Sequence, residues 1–215
     1  MNKDEIVKRI LSSIILIPTV LFFIIKGYFL FNFFIFICFL ITTYEWLKLS
    51  KNNLLKFFGT IFIVISFYAI FKIRNEFDKD YFHLLLVVII CASTDIGGYL
   101  FGNIFKGPKL TKISPKKTYS GVIGSFLLSL IFTNLFLDFS SNVKSFEFTK
   151  EMFLFILLVS FISQIGDIIV SYFKRKSKIK DTGTIIPGHG GILDRIDGMI
   201  FALPFSYVFF LNFNF

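Results

Sequence analysis

The sequence predicts an all-α, polytopic membrane protein with about seven transmembrane helices. Hydrophobic residues make up 55% of the 215 residues, aromatic residues make up 20%, and the mean hydropathy is +0.75. Several apolar stretches are long enough to cross a hydrocarbon layer, which takes roughly 20 helical residues. Because isolated strands cannot satisfy their backbone hydrogen bonds in lipid, helices are expected throughout.

Seven apolar stretches are expected to span the membrane as one integral membrane domain covering residues 1–215. They are residues 10–25, 28–47, 54–72, 81–102, 119–137, 151–173 and 197–213. The first is expected to be retained, since no small-residue cleavage site follows it, and to form a tight hairpin with the second. Cys38 and Cys91 both lie inside apolar stretches, so no disulfide is expected.

The distribution of Lys and Arg predicts the orientation. With the N-terminus in the cytoplasm, 17 of the 23 Lys and Arg fall in inside segments, in agreement with the positive-inside rule. The net charge of +9 is scattered over these loops, where topology, anionic lipid and nucleotide phosphates compete to explain it. We therefore expect no nucleic-acid partner, and we expect polar chemistry at the cytoplasmic ends of the helices.

Two acidic residues inside apolar stretches, Asp95 and Asp167, are costly enough in a membrane to need a reason. Each lies toward the predicted cytoplasmic end of its helix, beside glycines that permit close approach. One interpretation is a carboxylate that only hydrogen-bonds between helices, and the other is a functional site. Helical spacing places Asp167, Ser171, Lys174 and Arg175 on one face, where they could hold a metal ion and a phosphate. Alternatively, the two basic residues are snorkelling membrane anchors.

The segment that follows is rich in glycine and charge. It contains Lys180-Asp181, then the run from Pro187 to Gly191, then Asp194-Arg195 and Asp197. A glycine-rich turn with exposed N–H groups that leads into a helix can bind an anion. Asp194 and Asp197 would share a face of the last helix, where either could merely complement the helix dipole.

These residues, in this order from Ser171 to Asp197, resemble the signature of the phosphatidate cytidylyltransferases, also called CDP-diacylglycerol synthases. Asp95, Gly102 and the run from Ser114 to Gly121 resemble a second region of that family, and Glu45-Trp46 is similar too. The similarity is strongest over residues 81–215, the expected catalytic region, and weaker over helices 1–80. Members of the family are usually longer and have more spans.

The resemblance implies a nucleotidyltransferase of the cytoplasmic membrane that converts CTP and phosphatidate to CDP-diacylglycerol and pyrophosphate. It also implies a homodimer that depends on Mg²⁺ and on a second, monovalent ion such as K⁺. Because a phosphate monoester is largely ionised at neutral pH, the nucleophile needs no general base. The carboxylates are therefore expected to bind Mg²⁺, with Asp167 and Asp194 as the best pair.

The predicted site falls into two groups of residues. The catalytic group is Asp167, Asp194, Lys174 and Asp197. The substrate-binding group is Asp95, Ser114, Lys116, Lys117, Thr118, Ser171, Arg175, Lys180, Asp181, His189, Gly190, Gly191 and Arg195. For His189, shaping the turn or hydrogen-bonding a phosphate is favoured over acid catalysis. Two other functions remain open: a CTP-dependent polyprenol kinase and a proton-coupled transporter.

Overall fold

The computed structural model describes residues 3–77, 81–111, 114, 117–141, 149–188 and 190–212. Within these ranges the chain is helical apart from turns, loops and two isolated β-bridges. The all-α prediction is therefore confirmed for the part of the chain that is described. The helices are α1 (Lys3–Lys26), α2 (Tyr28–Leu49), α3 (Asn53–Lys72), a π-helical turn (Ile73–Phe77), α4 (Phe82–Ile104), α5 (Tyr119–Ser141), α6 (Lys150–Lys176), α7 (Leu193–Ile196) and α8 (Met199–Asn212).

Each of the seven predicted stretches contains a helix, and five of these are long and apolar enough to cross a membrane. The five segments are Tyr28–Leu49, Asn53–Phe77, Phe82–Ile104, Tyr119–Ser140 and Lys150–Lys176. Two further apolar segments, Leu11–Lys26 and Met199–Asn212, are shorter. The chain is thus an integral membrane protein, whereas the count of seven spans and the cytoplasmic N-terminus stay predictions.

The chain forms two compact units, each described here by itself. Unit 1 comprises Met1–Phe82 and Phe173–Asp197, and unit 2 comprises His83–Tyr172 and Gly198–Phe215. The first boundary lies close to the predicted start of the catalytic region at residue 81. The glycine-rich segment before residue 198, however, belongs with the N-terminal helices. A single domain over residues 1–215 stays a prediction.

In unit 1, α1 and α2 form the predicted hairpin around a single connecting residue, Gly27. This residue has a φ of +62°, which glycine adopts without a steric cost. Phe23 and Phe34 stack across the hairpin with ring centroids 4.5 Å apart. The guanidinium of Arg74 donates to the carbonyl of Ile24 at 2.8 Å and fills the space that a side chain at Gly27 would need. Arg74 therefore satisfies the end of α1.

The C-terminal end of α6 is closed by a turn in which Lys178 adopts a φ of +58°. The N–H of Ile179 bonds the carbonyl of Lys174, and the N–H of Lys178 bonds that of Arg175, both at 3.0 Å. This pattern satisfies the last carbonyls of the helix and turns the chain into the loop that begins at residue 180. Ser177 adds a 2.6 Å hydrogen bond to the carbonyl of Leu49, the last residue of α2.

In unit 2, α4 and α5 approach each other through glycines. A Cβ at Gly97 would overlap the backbone of Gly124, and one at Gly121 would lie 2.8 Å from the carbonyl oxygen of Gly98. Small residues allow this close approach, which is typical of helix pairs in membranes. The Thr94 hydroxyl donates to Ser160 of α6 at 2.8 Å, so α4 contacts both neighbours.

Candidate active site

Unit 2 contains a cavity of about 260 Å³ between the ends of α4, α5 and α6. Five residues predicted from the sequence line it: Asp95, Ser114, Lys117, Thr118 and Asp167. The other lining residues are Thr94, Gly98, Tyr99, Gly121, Val122, Ser125 and Gln164. The two acidic residues in apolar stretches therefore share one cavity, which supports their interpretation as a functional site.

An ion pair between Lys117 and Asp167 lies in this cavity. Lys117 Nζ is 2.6 Å from Asp167 Oδ2, and the two side chains are 23% and 29% exposed. Lys117 also donates to the backbone carbonyl of Gln164 at 3.3 Å, and Ser171 donates to Asp167 Oδ1 at 3.2 Å. The shared helical face predicted for Asp167 and Ser171 is present, and the pair remains accessible to a ligand entering the cavity.

The oxygen donors of this cavity fit Mg²⁺. Asp95 and Asp167 supply carboxylates, and Ser114, Thr118 and Gln164 supply hydroxyl and amide oxygens. Mg²⁺ is usually held by one or two carboxylates together with substrate phosphates and water, so a cage of protein ligands is not required. Among the described residues no group of three or more His, Cys, Asp or Glu is poised to hold a metal.

Seven lining residues were not among the predicted site residues, and two of them, Gln164 and Tyr99, have side chains that can bind a ligand. Gln164 lies three residues before Asp167 on α6, and Tyr99 lies four residues after Asp95 on α4. Helical spacing from the two aspartates was the signal that could have identified both. Lys116 was also predicted to bind substrate, but it lies outside the described residues.

Unit 1 contains a second cluster, built around Lys174, Asp194 and Asp197. Lys174 Nζ lies 3.0 Å from Asp194 Oδ1 and 3.5 Å from Asp197 Oδ2. The side chains of Lys174 and Asp194 are only 11% and 3% exposed. Three of the four predicted catalytic residues therefore meet in one buried charge cluster.

Asp194 is saturated with hydrogen-bond donors in this cluster. Its Oδ2 accepts the backbone N–H of Thr182 at 2.7 Å, the N–H of Gly191 at 2.9 Å and the hydroxyl of Thr182 at 3.0 Å. Burial alone would raise the pKa of this carboxyl, but the Gly191 N–H, the Lys174 charge and the Thr182 N–H together hold its pKa below the ordinary value. Asp194 is thus ionised and fixed to the loop before it.

The glycine-rich loop owes its composition to neighbouring side chains. Ile186 and Gly190 exchange two backbone hydrogen bonds across a turn, and Gly188 and Gly190 have φ values of +76° and +85°. A Cβ at Gly190 would lie 2.5 Å from Asp194 Oδ2 and 3.2 Å from Asp181 Cβ. His189, another predicted binding residue, lies outside the described residues.

Most of the remaining predicted binding residues lie on the surface of unit 1. Arg175, Lys180, Asp181 and Arg195 are exposed, and Gly191 is buried. Arg175 donates to the carbonyl of Ile179 at 3.3 Å, which helps to close the end of α6. Its assignment as a substrate ligand, like that of Lys180, Asp181 and Arg195, stays a prediction.

Glu45 is a buried carboxylate near the end of α2, with 2% of its surface exposed. It accepts the backbone N–H groups of Ile192 at 3.1 Å and Leu193 at 2.8 Å, and the hydroxyl of Thr182 at 3.0 Å. In the sequence, Glu45 stands out only because Glu45-Trp46 is similar to the phosphatidate cytidylyltransferases. An acidic residue at the end of an apolar helix was the signal that could have assigned it to the site.

Comparison with known proteins agrees with this picture. Residues 53–213 match the cytidylyltransferase family, and this range contains the cavity of unit 2 and the cluster around Asp194. A phosphatidate cytidylyltransferase of Haemophilus influenzae is 40% identical over 171 residues, which is 75% of this chain and 59% of the relative. One of Rickettsia typhi is 34% identical over 94% of this chain and 91% of its own length, and one of Bacillus subtilis is 33% identical over 69% and 55%. Since a family match covers most of the residues and a relative aligns nearly end to end, the chain belongs to the cytidylyltransferase family.

Proposed function

We propose that this protein is a phosphatidate cytidylyltransferase, which converts CTP and phosphatidate to CDP-diacylglycerol and pyrophosphate. The relatives that carry this name align with most of the chain. The observation that carries the proposal is the partly exposed Lys117–Asp167 pair, which lies in a cavity between helices of a membrane protein. A basic and an acidic group there can receive the phosphates of a nucleotide and of a lipid headgroup together.

In the proposed reaction, an oxygen of the phosphatidate phosphate attacks the α-phosphorus of CTP. A new P–O bond forms, the bond between the α-phosphorus and the bridging oxygen breaks, and pyrophosphate leaves with the electron pair. A phosphate monoester has its second pKa near 6, so the attacking oxygen is largely ionised at neutral pH. The protein therefore has to position and neutralise phosphates, and it does not need to remove a proton.

Lys117 is suited to neutralise phosphate because its ammonium already lies among acceptors inside the cavity. On substrate binding its Nζ would exchange Asp167 for a phosphate oxygen, which frees the carboxylate. In unit 2, Asp167 would hold Mg²⁺ together with the substrate phosphates. The sequence also predicts Asp194, in unit 1, as a ligand of Mg²⁺. The ion would supply positive charge to the phosphate oxygens.

Lys174 and Asp197 would act at the second cluster. The Lys174 ammonium is held between two carboxylates, 3.0 Å from Asp194 Oδ1 and 3.5 Å from Asp197 Oδ2. We propose that Asp197 and Asp194 orient this cation for a substrate phosphate. A Mg²⁺ ion at Asp194 would require Lys174 to leave Oδ1, since Oδ2 already accepts three hydrogen bonds.

We also propose that the protein resides in the cytoplasmic membrane as a homodimer, with its N-terminus and both clusters on the cytoplasmic side. The charge distribution supports this orientation. Lys150→Cys and Lys176→Cys, made separately after Cys38 and Cys91 are replaced by serine, place one thiol at each end of α6. An impermeant reagent should label only the first from outside intact cells, and the opposite pattern would reverse the topology.

The reaction is tested by asking which phosphorus of CTP enters the lipid. Purified protein with Mg²⁺ and phosphatidate should transfer label from [α-³²P]CTP to a chloroform-soluble product, in equal amount to the pyrophosphate released. Label from [γ-³²P]CTP should stay in water. Lys117→Met should remove most of this activity. Lys150 is an exposed lysine at the start of α6, and Lys150→Met should retain the activity.

Each alternative function gives a different result. Lipid labelled only from the γ position would establish a CTP-dependent kinase. No labelling from either position, with Mg²⁺ and K⁺ present, would contradict both enzymes and favour a transporter. Full activity in Lys117→Met would leave the cavity of unit 2 without a role in the reaction.

A further inference from the structure

Glu45 has a buried carboxylate that the proposed reaction does not use. A carboxylate buried to this extent is costly unless it is hydrogen-bonded, and Glu45 accepts three hydrogen bonds, all from the segment 182–193. Two of the donors are consecutive backbone N–H groups, those of Ile192 and Leu193, at the start of α7. Glu45 therefore binds the backbone that leads directly into Asp194.

The glycines of this segment are shaped around the same carboxylate. A Cβ at Gly183 would lie 2.6 Å from Glu45 Oε1, and a Cβ at Gly191 would overlap both carboxylate oxygens. Gly191 lacks a positive φ, so its need for glycine comes from the space that Glu45 occupies. The glycines at 183 and 191 thus provide the space that the Glu45 carboxylate occupies.

Glu45 and Asp194 are also linked through one hydroxyl. Thr182 Oγ1 lies 3.0 Å from Glu45 Oε2 and 3.0 Å from Asp194 Oδ2. Because a hydroxyl has a single proton, it can donate to one of these oxygens at a time. The position of Asp194, and with it the Lys174 ammonium, therefore depends on where Glu45 holds Thr182 and Leu193.

The N-terminal helices make further contacts with this loop. Ser12 of α1 donates to the carbonyl of Pro187 at 2.7 Å, and the carbonyl of Leu49 accepts the hydroxyl of Ser177. Ser12, Glu45 and Leu49 all precede residue 53, where the family match begins. The part of the chain outside that match thus supplies contacts that hold the loop inside it.

We infer that Glu45 is a positioning residue that fixes the 182–193 loop, and through it Asp194 and Lys174, for nucleotidyl transfer. The effect of Glu45 on catalysis rests on the proposed function. The effect of Glu45 on the loop does not. Glu45 lies on a helix before the matched region and acts through the backbone of the loop. A misplacement of about 1 Å at reacting groups can cost roughly 10²-fold in rate.

The test compares Glu45→Gln with Glu76→Gln in the purified full-length protein. Gln keeps the size of the side chain but turns an NH₂ group toward at least one of the backbone donors. Glu76 is an exposed acid of the same unit that forms an ion pair with Lys72, so the same substitution there is a matched control. Amide hydrogen exchange of the peptide spanning 182–193 is measured by mass spectrometry, together with kcat and KM for CTP.

We expect faster exchange of this peptide in Glu45→Gln and wild-type exchange in Glu76→Gln. We also expect kcat to fall on the order of 10²-fold in Glu45→Gln while KM for CTP changes far less. Wild-type exchange and wild-type kcat in Glu45→Gln would overturn the inference. A large rise in KM with kcat unchanged would also overturn it, because the residue would then act on binding alone.

Two further results keep the inference separate from folding and from the proposed function. If Glu45→Gln does not fold, Thr182→Val takes its place, because it removes one donor and leaves the carboxylates of Glu45 and Asp194. The 182–193 peptide of Thr182→Val must then show the same faster exchange. Wild-type exchange in this variant would overturn the inference. If the wild-type protein makes no CDP-diacylglycerol, the proposed function fails. The exchange of the loop still decides whether Glu45 holds it.

Discussion

The two lysine–aspartate pairs of this protein have the same chemistry and different surroundings. Lys117 and Asp167 in unit 2 are 23% and 29% exposed and lie in a cavity. Lys174 and Asp194 in unit 1 are 11% and 3% exposed, and Asp194 Oδ2 accepts three further hydrogen bonds. The first pair can exchange its partners for a ligand, whereas the second holds a loop in place.

This difference in exposure predicts different effects when an acidic residue of each pair is replaced. A partly exposed ion pair contributes little to stability, so its loss should be seen in activity. A buried pair strongly destabilises the protein when one partner is removed, because the other charge is left without compensation. Four variants test whether the two pairs differ in this way.

The largest effect is expected for Asp167→Asn. We expect kcat to fall by about 10³-fold, because a carboxylate that holds a catalytic metal supports several kcal/mol of charge stabilisation. The free energy of unfolding should change by less than about 1 kcal/mol. Initial rates over a Mg²⁺ titration and thermal unfolding in detergent measure both. Asp138→Asn, at an exposed acid of α5, is the control and should match the wild type in each measurement.

The next effect is on stability, in Asp194→Asn. The substitution leaves Lys174 buried with only Asp197 as an acidic partner in the cluster, and it turns an NH₂ toward one of the donors. We expect a loss of about 3 kcal/mol in the free energy of unfolding, measured by thermal or denaturant unfolding in detergent. Equal stabilities for Asp194→Asn and Asp167→Asn would remove the distinction between the two pairs.

A smaller loss is expected for Gly191→Ala. The new Cβ would overlap the carboxylate of Glu45, and overpacking of this kind costs about 1–3 kcal/mol. Adding Glu45→Ala should relieve the overlap, so the two losses should be less than additive in the double variant. Strict additivity of the unfolding free energies would show that Glu45 does not limit the size of residue 191.

The smallest effect on stability is expected for Lys117→Met. A partly exposed pair contributes less than about 1 kcal/mol, so the unfolding midpoint should remain close to that of the wild type. Lys174→Met, the matched change in the buried pair, should be clearly less stable. A Lys117→Met protein that unfolds as readily as Lys174→Met would mean that both pairs are structural.

Sequence reasoning located the helices well because apolar runs and helical periodicity are local signals. The predicted stretch 28–47 corresponds to α2 at Tyr28–Leu49, and 151–173 lies within α6 at Lys150–Lys176. The last helix was expected from residue 197, yet α8 begins at Met199 after the separate short helix α7. Asp194 therefore lies in the separate four-residue helix α7, and Asp197 caps the C-terminal end of α7, two residues before α8 begins.

The sequence identified individual residues of the candidate site better than it identified which of them lie together. Asp95 and Asp167 could be singled out because a carboxylate in an apolar helix is costly, and they do line one cavity. Helical spacing could also pair Asp167 with Ser171. It could not show that Lys117 is the partner of Asp167, since fifty residues of chain separate them and only the folded chain brings them together.

By itself the sequence determined membrane residence, the positions of the helices and the family, because each depends on composition or on residues close together in the chain. The tertiary structure decided which carboxylate is open and which is saturated. Glu45 and Leu193 are 148 positions apart, and Asp194 takes its donors from Thr182, Gly191 and Lys174. Whether an acid is open to a ligand depends on how many donors and how much protein surround it, and those surroundings come from distant segments that no local pattern records.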